Sequence, residues 1–166
     1  MTSYLIKGPW PGELAIIPRP RGGDWLEDEV RSLRQEGFQT VVSMLTREEA
    51  EEFDLTEESV IVRDHGLQFL NYPVPDRGVP SSRESARGFL ETLHVDLLAG
   101  KKVAVHCRGS IGRAGLVASG LLVLSGIEPA DAFRQVSAVR GVSAPETDEQ
   151  KDWVVTLALE PVRSIA

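Results

Sequence analysis

One stretch constrains this chain more than any other. A short apolar run, Lys102-Val103-Ala104-Val105, meets the glycine-bearing segment His106-Cys107-Arg108-Gly109-Ser110-Ile111-Gly112-Arg113, and a second apolar run then continues to Leu124. The first run reads as a strand. Residues 112–125 are apolar on nearly every face and read as a central buried helix. A strand that feeds a buried helix through a tight loop belongs to a mainly parallel sheet, and such sheets place ligands beyond the strand's carboxyl end.

The loop itself has the makings of an anion cradle. Gly109 and Gly112 allow a tight turn that points successive N–H groups into one hollow. The helix opening near Gly112 directs its unpaired N–H groups, the positive end of its dipole, at the same place. Those groups and Arg113 favour the ionised form of Cys107. The planar fork of Arg113 can bind two oxygens of a tetrahedral oxyanion. A nucleophile, a nest of amides and a bidentate cation on one short loop suit attack on a phosphate ester. A bland reading stands beside this one, a buried structural cysteine closing a core strand, but it leaves the glycines and Arg113 without a purpose.

The string resembles the His-Cys-x5-Arg signature of the cysteine-dependent protein phosphatases, within them the small dual-specificity-like branch near the kinase-associated phosphatase. The resemblance runs from the strand near Leu14 to the last helix. It implies a phosphotyrosine-phosphatase-like α/β fold, Cys107 as nucleophile, Arg113 as phosphate clamp, and Arg108, Gly109, Ser110, Ile111 and Gly112 as the substrate-binding remainder of the loop. It also implies an aspartate on an upstream loop as general acid. Asp76, in Tyr72-Pro73-Val74-Pro75-Asp76-Arg77-Gly78, matches that position. A plain turn aspartate is the competing reading, and Asp64 is the runner-up acid. Near the C-terminus, Ala144-Pro145-Glu146-Thr147-Asp148-Glu149-Gln150 matches a loop whose glutamine, here Gln150, helps to place the hydrolytic water. Thr147-x-x-Gln150 is equally a capping box. One departure stands out: where many members carry serine or threonine after the arginine, this chain has Ala114.

His106 precedes the nucleophile and, by strand alternation, points to the other face, where a hydrogen bond would brace the loop. His65 reads as a turn residue and His94 as a surface position on a helix. No spacing of His, Cys and Asp suggests a metal site, and no cofactor is implied.

The rest of the chain alternates strand and helix. Strands are expected at 14–17, 40–45, 67–70 and 102–106. Helices are expected at 25–36 (opened by an Asp24–Glu27 capping box), from Thr46 to about Phe53, from Ser81-Ser82-Arg83-Glu84 to near Gly100, at 112–125, at 129–139 and from about Glu146 to Leu159. Residues 54–66 fit either state, and 73–80 are a proline-rich loop. The expected architecture is α/β, a central mainly parallel sheet of four to five strands with helices on both faces, forming one domain over residues 1–166.

Composition narrows the partners. A net charge of −7 over 166 residues argues against nucleic acid. A single cysteine excludes an internal disulfide and suits a reducing compartment. The N-terminal residues lack a signal pattern, Arg163-Ser164-Ile165-Ala166 is not a prenylation box, and Leu116–Leu124 is too short to span a bilayer, so a cytoplasmic protein without a membrane partner is expected. The loop lacks the lysines of phosphoinositide-directed relatives, which leans towards phosphorylated protein or peptide substrates. Phosphotyrosine is expected, with phosphoserine and phosphothreonine admitted by a shallow site, and Arg77 and Arg108 are candidates for contact with the substrate backbone or a second phosphate. Two other classes remain open: a pseudophosphatase that binds phosphorylated partners without turnover, and a rhodanese-like sulfurtransferase, whose loop needs neither this arginine nor an upstream acid. Oligomeric state is not set by the sequence.

Overall fold

The computed structural model describes residues 2–160. The segment Arg163-Ser164-Ile165-Ala166 therefore lies outside the described residues. Five strands form one sheet in the order β1 (Tyr4–Ile6), β2 (Glu13–Ile16), β5 (Lys102–His106), β3 (Thr40–Ser43), β4 (Gln68–Asn71). All neighbours run parallel except β1, which lies antiparallel along β2. The sheet is thus mixed but mostly parallel, as expected. β1 was not anticipated, because three residues ahead of a Gly-Pro-Trp-Pro-Gly turn carry too little periodicity to read as a strand.

Period-two alternation sorts the strand residues onto two cores. Leu14, Ile16, Val42, Val103 and Val105 face one side, packed with Leu90, Leu93 and Leu97 of α4 (Arg83–Leu98), with α5 (Gly112–Leu124), and with Val136 of α6 (Pro129–Arg140) and Val154 of α7 (Asp148–Ala158). Ala15, Ile17, Val41 and Ala104 face the other side, against Leu26, Val30 and Leu33 of α1 (Leu26–Gln35) and Val62 of α3 (Glu58–Asp64). Helix α5 is buried from Gly112 to Val123, which bears out its reading as the central helix. The short helix α2 (Arg47–Glu52) follows β3 directly.

Helix starts show where local rules held. Thr46 and Glu49 form a full capping box on α2, and Thr147 and Gln150 form another on α7. The Asp24 box does not form. A 3-10 turn over Gly23–Trp25 intervenes, Trp25 takes the cap position, and no side chain caps α1. On α4 the cap is Ser82, whose hydroxyl accepts from Ser85 N, so the expected pairing with Glu84 is displaced by one residue. The ambiguous stretch 54–66 resolves as a turn followed by α3. His94 is buried rather than at the surface, with its Nε2 3.2 Å from Ser125 Oγ and its ring edge-on to Trp10. Its position between Leu90 and Leu97 puts it on the apolar stripe of α4.

Candidate active site

Strand β5 ends at His106, and alternation then divides two neighbouring side chains between the two sides of the sheet. Cys107 falls in the α5-side core, 2% exposed, at the base of a cavity of about 280 Å³. His106 points the other way, fully buried, with Nε2 2.7 Å from Glu58 Oε2 on α3. The brace expected of His106 exists, but it ties the end of β5 to a helix rather than to the loop. Its Nδ1 is buried without a hydrogen-bond partner among the described residues.

The cavity brings together Cys107, Arg108, Gly109, Ile111, Gly112 and Arg113 from the loop, with Asp76, Arg77 and Glu146 from two other segments. Asp64, the alternative acid, is not in its wall. Ser110 is also absent from the wall, and its side chain turns away from the cavity. The Ser110 hydroxyl donates to Ile17 O at 2.6 Å, and the residue is buried. Ser110 also carries the turn's left-handed backbone, with φ of 54°, where a glycine was expected to do so.

Glycine is needed at 112 for a different reason. A Cβ there would lie 2.9 Å from Gln150 Oε1 and 3.2 Å from Glu146 Oε1. At Gly109 a Cβ would meet nothing within 4 Å.

Three outside contacts hold the loop. Besides the Ser110 hydroxyl, Arg140 Nε donates to Ser110 O at 2.8 Å, and Arg19 Nη1 donates to Arg108 O at 2.8 Å. Arg19 in turn lies over the Phe53 ring at 3.5 Å, with Arg108 also stacked on that ring at 4.8 Å. Sequence reasoning had no access to Arg19 or Arg140 as loop supports, since each meets the loop only through tertiary folding.

Arg113 is held chiefly by four acceptors on its two terminal nitrogens, with Met44 O a longer fifth at 3.4 Å. Nη1 donates to Glu49 Oε1 at 2.6 Å and to Val74 O at 2.7 Å, and Nη2 donates to Glu49 Oε2 at 2.8 Å and to Asp76 Oδ1 at 3.2 Å. Nε–H is the one donor not given to these four. Burial opposes the Arg113 charge, but the Glu49 hydrogen bond and the nearby Cys107, Glu49 and Asp76 outweigh it and raise its pKa. Burial likewise pushes the Glu49 carboxyl up, and hydrogen bonds from Arg113 and Thr46 more than reverse this, holding it below the usual carboxylate range. Glu49 therefore serves two purposes: it caps α2 and it aligns the guanidinium. The first was legible; the second was missed.

The remaining candidates fall into place around this pair. Asp76 is half exposed and reaches Arg113 from the loop after β4. Arg77 is paired with Glu146 at 2.9 Å and Arg108 with Glu52 at 2.6 Å, so both expected substrate contacts are ion-paired in this structure. Gln150 is fully buried. Its Oε1 accepts from Glu146 N and Thr147 N, and its Nε2 donates to Gly78 O at 3.1 Å. The capping reading holds, and the same amide ties the Asp76 loop to α7. Among the described residues no group of three or more His, Cys, Asp or Glu is placed to hold a metal ion.

Fold and site together define the class of tyrosine and dual-specificity phosphatase domains. The family match is direct: residues 9–161 match the family described as Swiss Army Knife protein, DSP-PTPase phosphatase domain, and the chain belongs to it. Among curated proteins it is 28% identical over 131 residues to cyclin-dependent kinase inhibitor 3 of Rattus norvegicus, covering 78% of this chain and 61% of that protein. It is 39% identical over 79 residues to putative tyrosine phosphatase 067L of Invertebrate iridescent virus 3, covering 43% of this chain and 33% of the viral one. The chain thus spans 61% of the length of the mammalian relatives it matches. Among solved structures, kinase-associated phosphatase with a serine in place of its catalytic-site cysteine superposes with TM-score 0.86 at 21% identity, covering 93% of this chain and 92% of the other. Tk-PTP in its active form gives 0.80 at 27% identity, covering 96% and 97%.

Proposed function

We propose that this chain is a metal-independent protein phosphatase that hydrolyses phosphotyrosine, and also phosphoserine or phosphothreonine, through a phosphocysteine. The observation that carries this reading is the placement of Cys107 at the floor of a cavity whose wall holds the Arg113 fork and the Asp76 carboxyl. In the first step the Cys107 thiolate attacks phosphorus and the ester P–O bond breaks. Asp76 gives its proton to the departing oxygen. The loop amides and Arg113 stabilise the charge on the equatorial oxygens. In the second step water attacks phosphorus, the S–P bond breaks, and Asp76 takes the water's proton, releasing phosphate and the thiolate.

Two features of the geometry bear on how this works. Asp76 now occupies a donor of Arg113 that faces the cavity, so an arriving phosphate displaces it and frees it for proton transfer. Gln150 is fully buried, outside the cavity wall, with its oxygen committed to two backbone amides and its Nε2 to Gly78 O, so it contributes by fixing the acid loop and the α7 terminus. A lone nucleophilic thiol works in a reducing compartment, which suits a cytoplasmic setting. The domain acts as one unit on phosphorylated proteins or peptides.

The test is hydrolysis of a phosphopeptide panel in the presence of a chelator. Wild-type turnover is expected, with Cys107→Ser inactive. Asp76→Asn should slow an aryl phosphate with a poor leaving group far more than an activated one. Tight phosphopeptide binding with no turnover in the wild type would leave the pseudophosphatase reading, for which Ala114 is the sequence observation. Equal losses on both leaving groups would remove Asp76 as the acid.

A further inference from the structure

Behind the catalytic loop lies a second cavity of about 460 Å³, larger than the one of about 280 Å³ over Cys107. Helix α2 walls it through Ala50 and Glu51, helix α3 through Glu58 and Ser59, and the ends of β4 floor it with Phe69 and Asn71. These are the two helices that hold the loop from the rear. Helix α2 carries Glu49 to Arg113, and α3 carries Glu58 to His106, the residue that adjoins Cys107.

The electrostatics of the lining select an occupant. Glu58 is 3% exposed, yet it is part of the cavity wall on one side and pairs with His106 on the other. At the rim, Arg47 and Glu51 pair with each other at 3.4 Å, and Arg47 is almost wholly in solvent. The charge left to the interior is therefore the Glu58 carboxylate. A buried carboxylate favours a partner that brings positive charge and N–H donors. Leu45, Leu55 and Phe69 supply an apolar surface for the body of such a molecule.

We propose that this cavity binds a small organic cation, a protonated amine on an aromatic or aliphatic body, and that its occupation is felt at the catalytic loop through Glu58 and His106. Binding stands independently of the phosphatase reading. The coupling follows from the physical path: an amine that draws the Glu58 carboxylate towards the cavity loosens its bond to His106, and with it the anchor at the end of β5.

The experiment is an amide-resolved NMR titration of the wild-type chain with benzylamine, benzyl alcohol and benzoate. Benzylamine is expected to give saturable shifts at Ala50, Ser59 and Asn71, accompanied by shifts at Cys107 and Gly109. Benzyl alcohol should bind about tenfold more weakly. Benzoate should leave the α2–α3 amides unmoved. Ser59→Phe, which fills the cavity from a half-buried position, should abolish the benzylamine response and keep the rest of the spectrum. Glu58→Gln should erase the preference for the amine over the alcohol. Absence of saturable shifts, or equal binding of benzoate and benzylamine, would overturn the site. Saturation at α2 and α3 with the loop amides unmoved would overturn the coupling, and because this readout needs no turnover, it does not depend on the chain being an active phosphatase.

Discussion

Removing Glu49 is the sharpest test of how the site is held. The Arg113 side chain is 1% exposed and that of Glu49 10%, and two bonds of 2.6 and 2.8 Å join them. Breaking a buried pair by deleting one partner costs about 3–5 kcal/mol, because the other charge stays behind unpaired. Val74 O and Asp76 remain on Arg113, which favours the low end, about 3 kcal/mol. Glu49→Ala also takes the acceptor from Thr46 N, a further ~1 kcal/mol. At roughly 2–4 °C per kcal/mol for a chain of this size, Glu49→Ala should lower Tm by about 8–16 °C. Glu49→Gln keeps the length and one acceptor and gives up the charge, so about 2 kcal/mol is expected. Its kcat/KM should fall by about 10- to 100-fold at about 20 °C, where the fold is intact, because the guanidinium loses the partner that fixes its plane.

The acid limb of the stability curve gives a second reading of the same pair. The Glu49 pKa is lowered in the folded state. Its contribution is therefore present above the ordinary glutamate value of ~4.3 and is lost as pH falls through the lowered folded value. Urea unfolding of wild type should show this acid-side loss, and Glu49→Gln should flatten it. The exposed neighbour in Glu48→Gln should stay within about 0.5 kcal/mol of wild type. A Glu49→Gln protein with unchanged Tm and kcat/KM within about twofold of wild type would refute the argument that this carboxylate positions Arg113.

Other substitutions probe separate parts of the structure. Gly112→Ala drives a methyl into Gln150 and Glu146, so a loss of about 1–3 kcal/mol is expected by thermal melting, whereas Gly109→Ala, with open space around its Cβ and no left-handed φ, should melt within about 0.5 kcal/mol of wild type. Burial holds the His94 pKa below its ordinary value against the opposing pull of Glu91, so the unfolded chain binds the extra proton. Stability should therefore fall as pH drops below ~6.5, and His94→Gln should weaken that dependence in unfolding experiments between neutral and mildly acid pH. Ala114 offers no hydroxyl to assist departure of the sulfur; stopped-flow hydrolysis of an activated aryl phosphate should show a burst of about one equivalent followed by a slower steady state, and Ala114→Ser should raise the steady rate.

Local physics made much of the molecule readable. The run Lys102–Val105, the loop and the apolar helix after it fixed the core of the sheet, and Thr46-x-x-Glu49 and Thr147-x-x-Gln150 announced their helix starts. What escaped was whatever depends on long separation along the chain. Glu49 meets Arg113 across 64 positions and Glu58 meets His106 across 48, and no periodicity links them. Glu58 also sat in a stretch whose Val60-Ile61-Val62 fits strand and helix equally well, so its face could not be assigned. His94 reads as a surface residue by its type, but its place on the stripe between Leu90 and Leu97 buries it. The Asp24 motif failed for a local reason: Gly23, with φ of 59°, opens a 3-10 turn that shifts the helix start past it.

The supports of the Cys107 loop carry a lesson for anyone who would transplant it. Its curvature is dictated by Ile17, Arg19 and Arg140, none of which belongs to the signature. Copied alone into another βα junction, the short motif would arrive without its moulds. A working graft would have to bring along a carbonyl from just past the neighbouring strand and two guanidinium clasps from opposite ends of the chain.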